Sequence, residues 1–364
     1  MSELENNINE RSFSNYEIEH GKRNIGVVGA TGYTGMELIR LLTQHPDINL
    51  EVVTSRSSAG KKYSAIYPSF EGIFDNELLP VDSVSDHDLD LVFLAMPHRV
   101  SMDFVKDYGL ENFRIVDLSG DFRLKSADLY EQWYEKKHSC PQYIEQAAYG
   151  LPELNRDRIR NADLVANPGC YPTSSILALA PLLMNSLIDP GSIIIDSKSG
   201  VTGAGSTPKE TTHFPNVFGN FSAYGLLNHR HTPEIEQILS IVTEQEVQVQ
   251  FTPHLLPIDR GILTTTYSRP SVDLNQDLVR EAFLLFYETE YFVRVVDQPP
   301  SVKNVRGSNY CDLYATYDER TNRIITIAAI DNLVKGAAGQ AIQNMNLMLR
   351  KIEKTGLVYP PLNP

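Results

Sequence analysis

Short apolar runs alternate with amphipathic stretches over the first half of the chain. The runs at 24–28, 50–54, 90–95 and 113–118 have the length and composition of buried strands, and 36–43 has helical spacing. Strands that alternate with helices are typical of βαβ units, whose strands lie parallel in one sheet. The pattern therefore predicts an α/β domain with a parallel sheet.

From residue 191 onward the pattern changes to β-rich runs separated by a few helical stretches. Strands are predicted at 192–197, 246–251, 262–268, 312–317 and 324–330. Helical segments are predicted at 233–242, 274–287 and, most strongly, 336–352, and the apolar segment 174–184 before the first of these strands follows a predicted helix start. This mixture predicts a second, α+β domain with a mainly antiparallel sheet. The last helix is expected to pack back on the first domain.

Length and charge narrow the class of protein. With 364 residues the chain exceeds the usual size of one hydrophobic core, so two domains are expected. A net charge of −14, without a Lys/Arg cluster, argues against a nucleic-acid surface. No apolar run approaches the length of a membrane span, and the polar segment 1–22 lacks the apolar core of a signal peptide. We expect residues 1–22 to form a flexible N-terminal extension.

The three cysteines, Cys140, Cys170 and Cys311, are widely separated and odd in number. Because the chain has neither a CxxC pair nor a Cys/His ligand spacing, neither a disulfide framework nor a metal site is expected. This use of cysteine is typical of a protein in a reducing cytoplasm.

One of these cysteines stands at a predicted helix start. In the motif NPGCYPT, residues 167–173, Pro172 suits the first helical turn, and Thr173 and Ser174 are expected to cap its free amides. Free N–H groups and the positive end of the helix dipole favour a thiolate over a thiol. Cys170 is therefore a candidate nucleophile, and the alternative is a small buried cysteine.

A glycine-rich turn joins the first strand to the first helix. The motif GVVGATGYTG, residues 26–35, lets the backbone approach a pyrophosphate, whose charge a helix N-terminus binds. Its spacing, G-x-x-G-x-x-G, differs from the commoner G-x-G-x-x-G, so a tight turn without a ligand is the alternative. The residues of this turn predicted to bind a dinucleotide are Gly29, Thr31, Gly32, Tyr33, Thr34 and Gly35.

The end of the second strand bears on which dinucleotide is bound. NAD sites usually carry an Asp or Glu there to hold the ribose 2′-hydroxyl. This chain instead has Ser55, Arg56 and Ser57, and a guanidinium flanked by hydroxyls suits a 2′-phosphate. NADP is therefore the predicted cofactor, with these three residues among its ligands. The alternative is a solvated basic loop.

Further polar groups lie near predicted strand ends and helix starts. The loop SGVTGAG, residues 199–205, could present amides to a phosphate or to the nicotinamide end, or could be a structural turn. His229 and His231 flank an arginine before a helix and form a candidate acid/base and anion site. Arg260 is predicted to contact the ligand. Arg123 ends the motif DLSGDFR, where α/β crevices bind ligands, with a salt bridge as the alternative.

A thiolate, a histidine, several anion-binding groups and NADP together favour one chemistry. Sulfur attacks a carbonyl carbon that carries a good leaving group, and a thioester forms. The thioester accepts hydride more readily than a carboxylate would, and the product collapses to an aldehyde. The residues therefore predict the reduction of an acyl phosphate, or the reverse reaction.

Eight ordered motifs carry a family resemblance. They are GVVGATGYTGMELIRLL, DLSGDFRL, NPGCYPT, SKSGVTGAG, HRHTPEIEQ, FTPHLLPIDRGI, VRGSNYCDL and DNLVKGAAGQAIQNMN. Residues 23–364, which contain them, resemble the N-acetyl-gamma-glutamyl-phosphate reductases of arginine biosynthesis. The resemblance implies a Rossmann NADP domain at 23–166 and 336–364. It also implies a catalytic and dimerising α+β domain of glyceraldehyde-phosphate-dehydrogenase type at 167–335.

The same resemblance implies an activity and an assembly. Members of the family reduce N-acetyl-L-glutamyl 5-phosphate to N-acetyl-L-glutamate 5-semialdehyde and release phosphate. A cytoplasmic homodimer or homotetramer acting on a small molecule is therefore expected, with no nucleic-acid or membrane partner.

The resemblance also implies roles for individual residues. Cys170 resembles the nucleophile and His229 the acid/base, a choice over His231 that rests on the resemblance alone. The substrate-binding residues, including the two arginines named above, are predicted to be His231, Glu234, Tyr224, Arg123 and Arg260. Asn332 and Gly336 resemble the part that meets the nicotinamide. Ser199 and Gly200 are the further predicted cofactor ligands.

Two positions depart from the family pattern. Ser206 stands where a basic residue often follows the second glycine loop, which puts a cation near that loop in doubt. Arg99 stands where glycine often follows the Pro-His of a strand-end loop, at the edge expected to face the cofactor. Neither position touches the cysteine motif, so the same activity is expected.

Two rival functions are left open. Aspartate-semialdehyde dehydrogenase performs the same chemistry on a shorter acyl phosphate. Only the exact sequences of the motifs HRHTPEI and NPGCYPT favour the acetyl-glutamyl enzyme. A non-catalytic NADP-binding regulator shares the Rossmann turn. It gives no reason for a cysteine at a helix start followed by a histidine pair.

Overall fold

The computed structural model describes residues 18–363 and contains two β-sheets. The strands of the first sheet are β1 Arg23–Val28, β2 Ile48–Thr54, β3 Leu91–Leu94, β4 Arg114–Asp117, β5 Ala148–Tyr149 and β6 Leu164–Ala166. Their order is β2-β1-β3-β4-β6-β5, and every neighbouring pair is parallel. The order reverses beside β1, where the carboxyl ends of the strands leave a crevice in folds of this type.

Helices between these strands bury the faces of the first sheet. They are α1 Tyr33–Leu42, α2 Tyr63–Ile66, α3 Ser101–Tyr108, α4 Ala127–Tyr134 and α5 Pro152–Arg160. In α1 the apolar side chains recur at helical spacing, and Leu38, Ile39 and Leu42 are buried in the same core as Ile25 of β1. The predicted α/β domain with a parallel sheet is confirmed.

The second sheet is mixed. Its strands are β7 Ile193–Gly200, β8 Ser222–Ala223, β9 Val249–Leu256, β10 Ile262–Ser268, β11 Val293–Val295, β12 Cys311–Asp318 and β13 Arg323–Ile330. In the order β11-β12-β13-β10-β7-β9-β8, the pairs β11–β12 and β7–β9 are parallel and the other four pairs are antiparallel. The predicted α+β domain with a mainly antiparallel sheet is confirmed.

A long buried helix lies against one face of this sheet. This helix is α6 Cys170–Met184. The other helices on this sheet's side of the chain are α7 Phe214–Val217, α8 Thr232–Thr243 and α9 Gln276–Phe286. Every residue of α6 from Tyr171 to Leu183 is buried, because α8, α9 and the sheet surround it. A helix that is apolar all round is stable only when it is buried in this way, so the start of α6 is firmly fixed.

The chain ends on the first domain, as the sequence predicts. A π-helical turn, Val334–Ala338, leads into α10 Gly339–Met348. Ala341, Ile342 and Met345 of α10 are buried in the same core as β1 and α1. The predicted helix 336–352 is thus divided, since its first residues form the wider π turn and its α-helix ends at Met348.

Other predicted boundaries shift by a few residues. The strand predicted at 246–251 lies at Val249–Leu256. Of the predicted extension 1–22, residues 1–17 lie outside the described residues. In the remainder, Glu19 donates its N–H to the carbonyl of Arg350 at 3.1 Å, and Lys351 donates to the carbonyls of Glu19 and Gly21. Within 18–363, no helix combines the length and apolar character that crossing a membrane requires.

The close approach of α1 to the turn after β1 generates a stability prediction. A Cβ added at Gly35 would lie 2.3 Å from the carbonyl oxygen of Gly29, whereas one at Gly191 would meet nothing nearer than 3.5 Å. Gly35→Ala should therefore lower the free energy of unfolding by about 2 kcal/mol in chemical denaturation, through overpacking. Gly191→Ala is the matched control and should change it by less than about 0.5 kcal/mol. Equal losses in the two variants would contradict the predicted overpacking.

Candidate active site

Cys170 is the first residue of α6 and differs from the other two cysteines. Its side chain is half-buried, whereas Cys140 and Cys311 are fully buried. Gly169 precedes it as the N-cap residue, and β6 ends three residues before that cap. The parallel sheet therefore delivers the cysteine to the carboxyl edge of its strands, next to the second domain.

The predicted capping by Thr173 and Ser174 is wrong. The Thr173 hydroxyl donates to the carbonyl of Gly169 at 3.0 Å, and the Ser174 hydroxyl donates to the carbonyl of Tyr171 at 3.0 Å. Both hydroxyls lie within α6 and satisfy carbonyls, as serine and threonine commonly do inside a helix. Among the described side chains, none caps the amides of the first turn of α6. Those amides are left to act on the sulfur or on a ligand.

A buried ion pair fixes the loop before Cys170. Glu234, in the first turn of α8, accepts the N–H of Gly169 at 2.8 Å and the Tyr149 hydroxyl at 2.8 Å. Its second oxygen lies 3.3 Å from Nη1 of Arg123. Arg123 also donates from Nε to the carbonyl of Asn167 at 2.8 Å. Arg123 and Glu234 thus hold both ends of the short loop that leads into α6.

The thiol itself is neutral in the free protein. Burial raises the pKa of Cys170 to about 11, although the Arg123 charge and the backbone N–H groups of Cys170 and Tyr171 lower it. The N–H groups at the helix start do lower the thiol pKa, as expected, but they do not make the thiolate the main form. Desolvation of the sulfur outweighs the amides and the guanidinium. A base is needed to take the thiol proton.

His231 lies directly beside the nucleophile loop. A Cβ added to Gly169 would lie 2.5 Å from Nε2 of His231, so only glycine leaves room for the ring. Nδ1 of His231 is buried and has no hydrogen-bond partner in the part of the chain that the structure describes. Burial and the charges of His229 and Arg123 hold the pKa of His231 well below its usual range. The ring is therefore a neutral base at neutral pH.

His229 lies in the same pocket, among aromatic rings. Its ring stands edge-on to those of Tyr171 and Tyr224, and its Nδ1 accepts the N–H of His231 at 3.2 Å. Burial and the charge of Arg230 lower the pKa of His229 to about 4. The Tyr224 hydroxyl lies 3.0 Å from that of Tyr171. The structure thus brings together Cys170, the two histidines and Tyr224.

Positive charge also surrounds this pocket. Arg230 lies over the ring of Tyr134, 5.2 Å from its centroid. Burial and the charges of Arg123, Arg230, Arg99 and Lys209 lower the pKa of His98 to about 3. Several cations therefore converge in a chain whose net charge is −14. Such a local concentration of charge attracts anionic ligands.

The two departures from the family pattern have clear structural settings. Arg99 adopts a left-handed φ of 73°, the conformation that favours glycine. Its N–H donates to Asp121 at 2.7 Å, and its carbonyl accepts from Lys136, so the glycine-like backbone is held in place. Ser206 is exposed, but Lys209 reaches back to within 3.4 Å of the carbonyl of Ala204. A cation therefore does lie at the second glycine loop.

The first glycine-rich turn has the geometry of a phosphate site. Gly29 has a φ of +87°, and a Cβ there would lie 2.5 Å from the carbonyl oxygen of Ala95. Gly32 is the N-cap of α1, and no described side chain caps its first amides. Tyr33 and Thr34 begin the helix with half-buried side chains. The free amides and the dipole of α1 fit a bound pyrophosphate.

The loop after β2 lies next to this turn. The Thr31 and Ser55 hydroxyls are 3.1 Å apart, and Ser55 is buried. Arg56 and Ser57 are exposed beside them. A guanidinium and hydroxyls at this edge fit the 2′-phosphate end of NADP.

The remaining predicted cofactor ligands meet at the domain boundary. Asn332 accepts the N–H of Gly261 at 2.7 Å and donates to the Thr202 hydroxyl at 2.9 Å, which joins it to the second glycine loop. Ser199 is buried at the start of that loop. A Cβ at Gly200 would lie 2.8 Å from the carbonyl oxygen of Asp259. The structure therefore brings Ser199, Gly200 and Asn332 together.

Gly336 packs directly against Cys170. A Cβ at Gly336 would lie 2.9 Å from the Cβ of Cys170, so the π turn and the nucleophile are in direct contact. Arg260 instead binds carboxylates, with Glu37 at 2.6 Å and Asp331 at 3.4 Å from its guanidinium nitrogens. Its predicted contact with the ligand stays a prediction.

Two residues of this region were not predicted from the sequence. Tyr149 occupies a two-residue strand, where a tyrosine looks like part of the core, and only the fold brings it to Glu234. Glu37 is a charged residue buried inside α1, and its partner Arg260 is more than two hundred positions away. Neither carried a local signal. Across residues 18–363 there is no group of three or more His, Cys, Asp or Glu side chains arranged to hold a metal ion.

Solved structures resemble this fold. The aspartate semialdehyde dehydrogenase II of Vibrio cholerae, complexed with ASA, gives a TM-score of 0.69 at 17% identity, covering 90% of this chain and 98% of the other. The aspartate semialdehyde dehydrogenase of Candida albicans with NADP gives 0.65 at 16% identity, with coverages of 90% and 98%. At these identities the likeness concerns the fold alone.

Sequence comparisons are more specific. Residues 24–162 match the family model described as semialdehyde dehydrogenase, NAD binding domain, and 170–332 match semialdehyde dehydrogenase, dimerisation domain. The N-acetyl-gamma-glutamyl-phosphate reductase of Desulforudis audaxviator is 49% identical over 343 residues, 93% of this chain and 99% of the relative. That of Methanococcus maripaludis strain C5 is 46% identical over 345 residues, 94% and 100%. The chain belongs to the N-acetyl-gamma-glutamyl-phosphate reductase family.

Proposed function

We propose that this chain reduces N-acetyl-L-glutamyl 5-phosphate to N-acetyl-L-glutamate 5-semialdehyde and phosphate in arginine biosynthesis, using NADPH and a thioester on Cys170. One observation carries the proposal. A half-buried cysteine stands at a helix start, with a neutral histidine against the preceding glycine. The names of relatives that cover nearly the whole chain support the substrate.

The first step forms the thioester. An imidazole accepts the proton of the Cys170 thiol while the sulfur attacks the acyl carbon, and the carbon–oxygen bond to phosphate breaks. Phosphate leaves with the electron pair of that bond. The raised thiol pKa makes this coupling necessary, since a preformed thiolate is scarce at neutral pH. The free amides of α6 are proposed to stabilise the negative charge that develops on the acyl oxygen.

The cofactor would lie between the first glycine-rich turn and the boundary of the two domains. Gly29, Gly32 and the amides of α1 would hold the pyrophosphate, and Arg56 the 2′-phosphate. NADPH, when bound, supplies the hydride that reduces the acyl carbon. The imidazolium formed in the first step keeps its proton beside Cys170, where it can neutralise the thiolate released with the aldehyde.

We assign the acid/base role to His231 in preference to His229. The ring of His231 touches Gly169, next to the nucleophile, and its buried Nδ1 has no partner among residues 18–363. The ring of His229 is enclosed by aromatic rings, and its Nδ1 is occupied by the N–H of His231. The assignment of His229 from the family resemblance stays the alternative.

Arg123, Arg230 and Lys209 are proposed to attract and orient the anionic groups of the substrate. The charges of all three lower the pKa of His98, which lies close enough to His231 to lower the pKa of that histidine. Glu234 and Tyr224 are proposed to complete the substrate side, Glu234 through Gly169 and Tyr224 through Tyr171.

The assembly and location complete the proposal. The match to a dimerisation domain supports a homo-oligomer, and we propose a homodimer or homotetramer. The three cysteines are free, which supports a reducing cytoplasm as its location.

The substrate is tested by the reverse reaction, because the acyl phosphate is labile. Purified protein with NADP⁺ and phosphate should reduce NADP⁺ when given N-acetyl-glutamate semialdehyde, and should do so far more slowly with aspartate semialdehyde. Faster turnover of aspartate semialdehyde would keep the chemistry and overturn the substrate. If the folded protein binds NADPH but turns over neither aldehyde, the non-catalytic regulator is favoured instead.

The acid/base assignment is tested by two matched variants. His231→Asn should lower kcat by about 10²- to 10³-fold at unchanged KM, and His229→Asn by about tenfold, because the base adjoining the nucleophile loop is lost only in the first. Protonation of the base removes activity. Its lowered pKa therefore predicts that wild-type activity persists from about pH 7 to about pH 5, where an ordinary histidine would be charged. A larger loss in His229→Asn would reverse the assignment.

The cofactor preference is tested at Arg56. Arg56→Ala should weaken NADPH binding by about tenfold or more in calorimetry, because a charge-assisted hydrogen bond to the 2′-phosphate is lost. NADH binding should change by less than about twofold, since NADH lacks that phosphate. Arg320→Ala, which removes an exposed arginine of the second domain, is the control. Equal losses for both cofactors in Arg56→Ala would contradict 2′-phosphate recognition.

A further inference from the structure

Helix α1 carries a buried carboxylate that binds across the domain boundary. Glu37 is fully buried one turn into the helix that follows the cofactor turn. One of its oxygens accepts from Arg40 of the same helix at 2.6 Å. The other accepts from Nη2 of Arg260 at 2.6 Å. Because Arg260 lies in the loop between β9 and β10, this ion pair ties α1 to the second domain.

Arg260 also reaches a second buried carboxylate. Its Nη1 lies 3.4 Å from Asp331, which follows β13. Asp331 accepts the N–H groups of Leu333 and Val334 at 2.8 and 3.2 Å through its side chain, and its carbonyl accepts the N–H of Gly336 at 3.0 Å. Asp331 therefore shapes the start of the π-helical turn.

The π-helical turn ends this series of contacts at the nucleophile. Gly336 packs against Cys170 so closely that a Cβ added to the glycine would lie 2.9 Å from the Cβ of the cysteine. A continuous path of hydrogen bonds and packed atoms thus runs from α1 through Glu37, Arg260 and Asp331 to Cys170. Turns of the π type commonly occur at functional sites.

The ion pair between Glu37 and Arg260 is the central contact of this path. Burial alone would raise the pKa of Glu37, but hydrogen bonds and charges from Arg260 and Arg40 lower it below its usual value, so the carboxylate is ionised. A buried charge cannot separate from its partner without a large desolvation cost. The planar guanidinium can hold two carboxylates at once, which an ammonium group cannot do in the same geometry. One guanidinium therefore joins Glu37 of α1 to Asp331.

We propose that Arg260 is a positioning residue that couples occupancy of the pyrophosphate turn to the setting of Cys170. The inference rests on the proposed binding of NADP at that turn. Cofactor phosphates fix the start of α1, Glu37 and Arg260 fix Asp331, and Asp331 sets the π turn against the nucleophile. The enzyme thereby orders its cysteine when the reductant is bound.

The test uses a ligand that cannot cover the sulfur. 2′-Phospho-ADP-ribose carries the pyrophosphate and the 2′-phosphate of NADP but lacks the nicotinamide. The alkylation rate of Cys170 by iodoacetamide is measured by peptide mass spectrometry with and without this ligand. In the wild type the ligand should slow alkylation by about fivefold, a change of about 1 kcal/mol in activation free energy, because the fixed π turn restricts access to Cys170.

The variants locate the coupling. In Arg260→Gln the ligand should still bind, but the alkylation rates with and without it should be nearly equal. The double variant Glu37→Gln with Arg260→Gln removes the buried Glu37 charge together with its main partner, while backbone N–H groups of Gly307, Leu333 and Val334 still bind Asp331. It should behave in the same way, which covers a folding failure of the single variant. Arg260→Lys should recover only part of the effect. Arg294→Gln breaks a comparable pair with Asp312 in the same domain and should keep the full effect.

The outcomes separate this inference from the proposed function. If 2′-phospho-ADP-ribose does not bind the wild type in calorimetry, the proposed NADP site is wrong. If it binds without changing alkylation, or if Arg260→Gln and the double variant keep the wild-type effect, the coupling through Arg260 is refuted. Loss of the effect in Arg294→Gln as well would also refute it, because the loss would then not be specific to Arg260.

Discussion

The buried ion pair between Arg123 and Glu234 is the interaction on which the site depends. Arg123 belongs to the loop after β4 of the first domain, and Glu234 to the first turn of α8 in the second. Between them they bind Asn167 and Gly169, the residues that lead the chain into α6. Removing either partner would leave a buried charge, which typically costs about 3–5 kcal/mol. The position of the nucleophile and the contact between the domains are therefore fixed by the same two side chains.

Glycine accounts for how closely the parts of the site approach each other. Gly169 leaves room for His231 and Arg123 on one side of the cysteine loop, and Gly336 allows the π turn to lie on Cys170 from the other. A side chain at either position would separate the base or the cofactor-side turn from the sulfur. Because the contacts of Gly169 with Arg123 and of Gly336 with Cys170 both join the first domain to the second, the site is complete only when the two domains are docked. Catalysis and folding are thus linked through packing as well as through charge.

Much of the fold was predictable from the sequence because its long elements have regular hydrophobic patterns. β10, β12, β13 and α6 lie close to their predicted positions. The two-residue strand Ala148–Tyr149 is too short to show a period, and the π turn at Val334–Ala338 has no distinct pattern. In the site, the cysteine and histidine motifs were found through local chemistry. What the sequence could not reveal was competition between forces. The hydroxyl of Thr173 bonds to a carbonyl instead of capping, and burial of Cys170 outweighs the helix start in setting its pKa.

Whether Cys170 carries the acyl group can be read from the mass of the protein. Freshly prepared N-acetyl-glutamyl phosphate is added in the presence of 2′-phospho-ADP-ribose, which occupies the proposed cofactor turn but supplies no hydride, and in the absence of NADPH. The masses of the intact protein and its peptides are measured together with the released phosphate. We expect a stoichiometric burst of phosphate and an N-acetyl-glutamyl adduct on the peptide that contains Cys170. Retention of the acyl phosphate until NADPH is added, with no adduct on Cys170, would contradict it.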